Sequence, residues 1–253
     1  MTRRFVVLVD LDDTLLPDRS AAWEAVRATL HACGVPCPPQ TVQSVFDVAR
    51  SRWRSGPYFK ELRDLGISSW EALWADLTLA SVPRAAAWGL RYRAEVWGQV
   101  LRAAGADADR EDAARQFVLR REALVRPFPG AAAFMERTAR EHEVWLVTNG
   151  ASRLQRLKLG RSGLERYVAR VFVSSEVGHA KPHPRFYQVV SEALDRDRTV
   201  CLMVGDSLEG DVRPAVARGW PVVHLCDGPD DGDRPWTRVG VIGDVVLPCA
   251  HGS

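Results

Sequence analysis

At 253 residues, with 46% hydrophobic and 26% charged side chains, the chain has the profile of a globular protein with one sizeable core, or a core carrying a substantial inserted subdomain, and not that of a disordered or fibrous one. Its 34 lysines and arginines against 32 aspartates and glutamates leave a net charge of +2, too weak a field to argue for a nucleic-acid or anionic-membrane partner, so small-molecule chemistry is the expectation. Five cysteines (Cys33, Cys37, Cys201, Cys226 and Cys249) make an odd, scattered set, unlike a small secreted disulfide scaffold, and read as reduced thiols.

The chain opens MTRRFVVLVDLDDTLLP, a basic pair followed by an apolar run. Asp10 ends that run far too early for a signal peptide, and no later segment approaches the roughly 20 apolar residues that span a bilayer. The reading is a cytoplasmic protein with no membrane partner. Residues 5 to 10 are the first strand. Helical spacing then takes over: Trp23, Val26 and Leu30 recur at it, and so do Val42, Val45, Phe46, Ala49 and Trp53. Further helices are predicted at about 69 to 80, 84 to 104 and 109 to 125, punctuated at Gly56-Pro57, Gly66, Pro83 and Gly105. CGVPC, Cys33 to Cys37, reads as a turn between helices, since no second Cys or His pair accompanies it at zinc-site spacing.

From Pro127 the pattern changes to short apolar strands alternating with helices: VWLVT (144 to 148), RVFVS (170 to 174), TVCLMVG (199 to 205), PVVHL (221 to 225) and DVVLP (244 to 248). Alternation of this kind predicts an α/β fold, a Rossmann-like parallel sheet flanked by helices. Because the bundle separates the first strand from its partners, it reads as an insertion. The expected division is an α/β catalytic core of residues 1–16 and 127–253 and an α-helical bundle cap of residues 17–126, with hinges at Pro17 and at Pro127-Phe128-Pro129-Gly130. CDGPDDGDRPW, 226 to 236, is turn-forming and acidic and reads as a surface loop.

In an open parallel sheet, ligands bind at the carboxyl ends of the strands. Asp10, Asp12 and Asp13 follow the first strand, Thr148, Asn149 and Gly150 the second, Lys181 lies in the loop after the third, and Gly205, Asp206, Ser207 and Asp211 follow the fourth. Folding should gather several carboxylates around one lysine, and so many anions require a cation. Hard oxygen ligands with room for water and phosphate suit Mg²⁺. A turn-forming Asp at a strand end accounts for Asp13, but not for a matching lysine and a second aspartate cluster at other strand ends.

The order Asp-Leu-Asp-Asp-Thr-Leu, then Thr-Asn-Gly after a strand, then Lys-Pro, then Gly-Asp-Ser-x-x-x-Asp closely resembles the haloacid dehalogenase (HAD) superfamily, in the form with a helical cap inserted after the first motif. LVTNGASRLQRLKL and VGDSLEGDVRPAVARG look most like the phosphatase branch containing N-acylneuraminate-9-phosphatase and pyrimidine 5′-nucleotidases. The resemblance implies a Mg²⁺-dependent phosphatase of a small phosphorylated metabolite. Asp10 would be the nucleophile that forms an aspartyl-phosphate, and Asp12 the general acid and then the base. Asp10, the Asp12 carbonyl and Asp206 would hold Mg²⁺. Thr148 and Asn149 would bind the phosphoryl oxygens, Lys181 would offset charge on nucleophile and phosphate, and Asp211 and Glu176 would brace that shell. The loop HAKPHPRFY departs from many relatives, which have Asp or Ser where this chain has His183. His179 and His183 are four apart, but Pro182 between them disfavours helical metal-ligand geometry, so both read as loop histidines.

Between Arg19 and Arg126 lie six of the nine tryptophans, with 16 basic residues against 12 acidic, a mild excess that suits an anionic substrate. Most of those tryptophans read as bundle core. In RWRSGPYFK, 52 to 60, Arg54 and Tyr58 crowd a Gly-Pro turn and are candidate contacts for the leaving group, a solvated turn being the plainer alternative. Competing readings are a phosphomutase using the same residues, a haloacid dehalogenase, which needs neither Asp12 as an acid nor the metal carboxylates, and a non-catalytic receiver-like phosphate-binding module, which is usually one small domain without such a bundle. The oligomer is expected to be a monomer or a homodimer.

Overall fold

The structure, a computed structural model, describes residues 5–194, 200–227 and 234–247. The chain divides into two compact units, one built of Met1–Pro17, Arg126–Asn149 and Leu159–Ser253, the other of Asp18–Val125 together with Gly150–Lys158.

The first unit is built on a six-stranded sheet. β1 (Phe5–Val9) pairs in parallel on one side with β2 (Glu143–Thr148), which pairs with β3 (Arg170–Val173), and on the other with β4 (Val200–Gly205), followed outward by β5 (Val222–Leu225) and β6 (Thr237–Val239). The strand order β3-β2-β1-β4-β5-β6 reverses direction at β1, and in doubly wound sheets the crevice at such a switch point is where ligands bind. Near-continuous apolar strands follow from burial on both faces. Val6 and Leu8 share one face with Trp145, Val147, Cys201 and Met203, over Phe186, Tyr187 and Val190. Val7 and Val9, one residue out of phase, are buried on the other.

The helical unit runs α1 (Asp18–Ala32), α2 (Pro39–Arg54), α3 (Phe59–Asp64), α4 (Ala85–Ala103) and α5 (Arg110–Ala123). In the first unit α6 (Ala131–Glu141) buries Ala131, Phe134, Met135 and Thr138, an i, i+3, i+4, i+7 stripe. α7 (Ser152–Arg161) starts in the helical unit and ends in the sheet unit. Three short helices, α8 (Ser174–Val177), α9 (Pro184–Glu192) and α10 (Arg213–Val216), complete the sheet unit. The tryptophans of the helical unit are largely core. Trp53, Trp88 and Tyr92 meet with ring centroids 5.1 to 5.8 Å apart, and Trp97 packs on Phe117. Cys33 and Cys37 fall in the turn between α1 and α2.

Two predicted elements need correction. Residues 69–80 form only a single 3₁₀ turn, Glu71–Leu73, and are otherwise turns and irregular chain. The main-chain carbonyls that would propagate a helix there are taken by side chains of α4: Tyr92 Oη donates to Ser69 O at 2.7 Å, and the Arg93 guanidinium donates to the carbonyls of Ala72 and Ala75. Among the described residues the last strand is Thr237–Val239, and residues 244–247 of the DVVLP segment are not one. Arg137 Nη2 donates to the carbonyls of Gly243 (2.9 Å) and Val245 (2.8 Å), while Val246 is 84% exposed, so the segment is bound by a side chain and not by a ladder. Most of the acidic loop 226–236 lies outside the described residues.

Candidate active site

The first strand ends in a tight turn that fixes where its carboxylates point. The Asp10 main-chain N–H donates to Val204 O of β4 at 3.0 Å, which ties the strand end across the switch point. Leu15 and Leu16 both donate to Leu11 O, Asp13 N–H donates back to Leu16 O, and Asp13 adopts φ = 61°. Aspartate is among the few residues that tolerate this left-handed region, so Asp13 makes the turn while Asp10 is buried and Asp12 half-buried beside it.

Lys181 is the centre of the cluster. Its ammonium donates to Asp10 Oδ1 at 2.7 Å, Asp211 Oδ1 at 2.6 Å and Val147 O at 2.9 Å, one acceptor for each of its three N–H bonds. Asn149 holds the lysine's main chain: Lys181 N–H donates to Asn149 Oδ1 at 2.8 Å, and Asn149 Nδ2 donates to Lys181 O at 2.9 Å. The Asn149 side chain is thereby committed to Lys181, which leaves its main chain as the part that can serve a bound phosphate. Thr148 is buried at the end of β2.

On the β4 side, Asp206 is fixed through its neighbours. Thr14 Oγ1 donates to Asp206 Oδ1 at 3.2 Å and accepts from Asp206 N–H at 3.0 Å, while His224 Nε2 lies 3.0 Å from Asp206 O. Asp211 Oδ2 accepts from Ser207 N–H at 3.2 Å, so both its oxygens are engaged. This approach explains Gly205: a Cβ there would stand 2.4 Å from Asp211 Oδ2.

The electrostatics are those of an anion excess. Asp10, Asp206 and Asp211 place carboxylate oxygens within 4.8 Å of one another, with a single lysine between them. Burial pushes the Asp10 carboxyl up to about 6, with Lys181 pulling against it. Burial, then the charges of Asp10 and Asp13, push Asp206 to about 6 as well, and burial also raises Asp211. Burial disfavours the Lys181 ammonium, but Asp10 and Asp211 overcome it and its pKa rises. Such a set of hard oxygens, short of positive charge, fits a divalent cation; with Asp211 taken by Lys181 and Ser207, Asp10 and Asp206 are the carboxylates left to hold it.

The other predicted residues make none of the hydrogen bonds described above. Glu176 is exposed on α8. His183 is exposed and caps α9, its Nδ1 accepting from Arg185 N–H at 3.1 Å, with its ring stacked 4.2 Å from that of His179. In the helical unit, Arg54 is exposed at the end of α2, and Tyr58 is half-buried with its ring edge-on to Trp88. Sequence reasoning missed Thr14 and the clamp of Asn149 on Lys181. Within the helical unit, Glu71 Oε1 accepts from Ala151 N–H at 2.7 Å, a contact sequence reasoning also missed. Gly150, at φ = 133°, leaves the space that Glu71 and Gln155 occupy: a Cβ there would lie 2.6 Å from Glu71 Oε1 and 2.4 Å from Gln155 Nε2. Only glycine at that position hinted at it.

Known proteins share this pattern. A family model for haloacid dehalogenase-like hydrolases matches residues 6–219, a span that contains every residue of the cluster. Phosphoserine phosphatase of Thermus thermophilus is 32% identical over 96% of this chain and 98% of its own length. Pyrimidine 5′-nucleotidase YjjG of Escherichia coli is 32% identical over 49% of this chain and 58% of its own. Among solved structures, that of the HAD-hydrolase YfnB of Bacillus subtilis, bound to magnesium, superimposes with a TM-score of 0.64 at 21% identity over 94% of each chain, a likeness of fold. With the family matched across the whole cluster and a phosphatase matched along nearly the whole chain, the protein belongs to the haloacid dehalogenase-like hydrolases, with phosphatases among its relatives.

Proposed function

We propose that the protein hydrolyses a small phosphate monoester in two displacements on Asp10, and the observation that carries this is Lys181 bound at once to Asp10 and Asp211 in a cluster with more carboxylates than cations. In the first displacement an Asp10 oxygen bonds to phosphorus as the ester P–O bond breaks, and Asp12 gives its proton to the leaving oxygen. In the second, Asp12 takes a proton from water, the water oxygen bonds to phosphorus, and the Asp10–phosphorus bond breaks to release phosphate. Lys181 stabilises charge on the nucleophile and on the phosphoryl oxygens throughout, and Thr148 with the main chain of Asn149 orients those oxygens. Asp10, Asp206 and the Asp12 carbonyl are the proposed ligands of Mg²⁺, which when bound supplies the missing positive charge among the carboxylates and the phosphate.

The sheet unit is the catalytic core in this reading and the helical unit the cap that selects what is attached to the phosphate, with Arg54 and Tyr58 as candidate contacts. The match to a phosphoserine phosphatase along the whole chain favours a short, polar leaving group; the match to a pyrimidine 5′-nucleotidase is confined to about half of it. Phosphate release from a panel that includes O-phosphoserine, pyrimidine 5′-nucleotides and an aryl phosphate, with Mg²⁺ and with excess EDTA, tests the reading. Release that requires Mg²⁺ supports it, and turnover undiminished by EDTA would remove it. Return of the phosphoryl group to a sugar product would mark a mutase instead.

A further inference from the structure

The helical unit holds a cavity of about 740 Å³, walled largely by Trp74, Leu77, Leu90, Val118, Leu154 and Leu157. That volume falls within the roughly 300–1,000 Å³ typical of small-molecule sites, and the walls are as apolar as such sites usually are. A smaller cavity of about 360 Å³ adjoins it and shares Leu90, Arg93 and Val118. Leu90 at 65% and Leu119 at 54% exposure stand among the most exposed large apolar side chains of the described residues, one lining both cavities and the other the second.

The walls carry two acidic and two basic residues, Asp76, Glu122, Arg93 and Arg153, but they are not all ion-paired. Asp76 is occupied, pairing with Arg153 Nη1 at 2.6 Å and accepting from Thr78 N–H at 2.8 Å, and Glu122 has a partner of its own. Arg93 differs. It is half-buried, spends one N–H on Ala72 O and one on Ala75 O, and has no carboxylate at ion-pair distance among the described residues. Its remaining N–H groups have no acceptor among the described residues, and burial lowers the guanidinium to about 10 against the opposing pull of Asp76. A guanidinium in such a setting is stabilised by an anion that brings two acceptor oxygens.

We infer that this cavity is a second ligand site, distinct from the Lys181 cluster, which takes an organic monoanion with an apolar body: the body against Trp74, Leu90, Val118 and Leu157, and the carboxylate or sulfonate on Arg93. The inference stands independently of the phosphatase reading, because none of these residues belongs to the aspartate cluster.

The probe is 8-anilinonaphthalene-1-sulfonate, followed by fluorescence on the folded full chain. The site predicts saturable binding of one probe per chain, displaced by decanoate or 1-naphthoate; whichever displaces better says whether an alkyl or an aromatic acid fits. Uncharged decanol should displace the probe at least about tenfold more weakly than decanoate, the loss of one charge-assisted pair. Val118→Trp, which fills the space between the two cavities and leaves Arg93 in place, should abolish binding, and Arg93→Met should erase the difference between decanoate and decanol. If Arg93→Met fails to fold, the decanoate–decanol comparison on the unmodified chain decides the role of charge. No saturable binding, equal displacement by acid and alcohol, unaltered binding in Val118→Trp, or displacement by saturating inorganic phosphate with Mg²⁺ would each overturn the assignment.

Discussion

Asp18 offers the sharpest energetic test of the helical unit. Its Oδ1 accepts from Arg121 Nη2 at 2.5 Å and from Lys158 Nζ at 2.9 Å, and the three side chains are 9%, 3% and 2% exposed. Trp74 flanks both cations, 4.3 Å from Arg121 and 5.3 Å from Lys158. One carboxylate thus joins the start of α1, the end of α5 and α7. Replacing Asp18 by Ala leaves two buried cations without their anion, a change that costs about 3–5 kcal/mol in comparable buried pairs. Against a total stability of about 5–15 kcal/mol, that is a large fraction. Burial alone would raise the Asp18 carboxyl, but Lys158 and then Arg121 overcome it and hold it at about 2, below its ordinary 3.8. A carboxyl depressed in the folded state stabilises the fold above its unfolded pKa and loses that contribution as pH falls through the folded one, here between about pH 4 and pH 2 and by about 2 kcal/mol. Urea unfolding followed by circular dichroism at pH 7 should place Asp18→Ala lowest in stability, with Asp18→Asn between it and the unmodified chain because the amide keeps one acceptor. The gap between the unmodified chain and Asp18→Asn should narrow as the pH is lowered from 4 towards 2. An Ala variant within about 0.5 kcal/mol of the unmodified chain, the range of ordinary surface changes, would refute the reasoning, as would a gap indifferent to pH.

Gly205→Ala forces a Cβ onto Asp211 and so displaces the brace of Lys181; kcat should fall by about 100-fold, read from aryl phosphate hydrolysis, since small displacements of positioning groups cost that much. Asn149→Ala frees the main chain of Lys181 and should lower kcat by about 10- to 100-fold with the circular dichroism spectrum preserved; unchanged kcat would remove the clamp from the account. Lys181→Met leaves Asp10 and Asp211 facing each other in a buried site, and its melting temperature without metal should fall and recover in part when Mg²⁺ is added. Arg54→Ala and Tyr58→Ala should lower kcat/KM for the preferred metabolite much more than for a small aryl phosphate; equal losses on both would make these residues supports of the fold.

The sheet and the residues at its edge were legible because both depend on short-range pattern. A buried parallel strand must be an apolar run, and ligands bind beyond the carboxyl ends of such strands, so the positions of Asp10, Thr148, Lys181 and Asp206 at that edge of the sheet could be read from strand ends. What holds those residues was not legible. Asn149 and Lys181 are 32 positions apart, Thr14 and Asp206 are 192 apart, and Asp18 and Arg121 are 103 apart, and no periodicity links such pairs. Residues 69–80 have apolar spacing that suits a helix, yet Tyr92 and Arg93 take their carbonyls, and tertiary hydrogen bonds outweigh a propensity worth a few tenths of a kcal/mol per residue. DVVLP looks like a strand for the same reason that its residues 244–247 form none: its apolar content is real, but Arg137 binds its main chain and Val246 faces outward. Thr237–Val239, only three residues long with two of them polar, carries too little pattern to be found.

The account turns on a covalent bond between Asp10 and phosphorus. Mixing the protein with excess aryl phosphate and Mg²⁺, quenching in acid within one turnover and digesting with protease shows by mass spectrometry which peptide carries phosphate. The account predicts phosphate on the peptide containing Asp10, lost on hydroxylamine treatment as an acyl phosphate must be, and absent from an Asp10→Asn variant that retains its fold. Phosphate on another residue, or full turnover by Asp10→Asn, would contradict it.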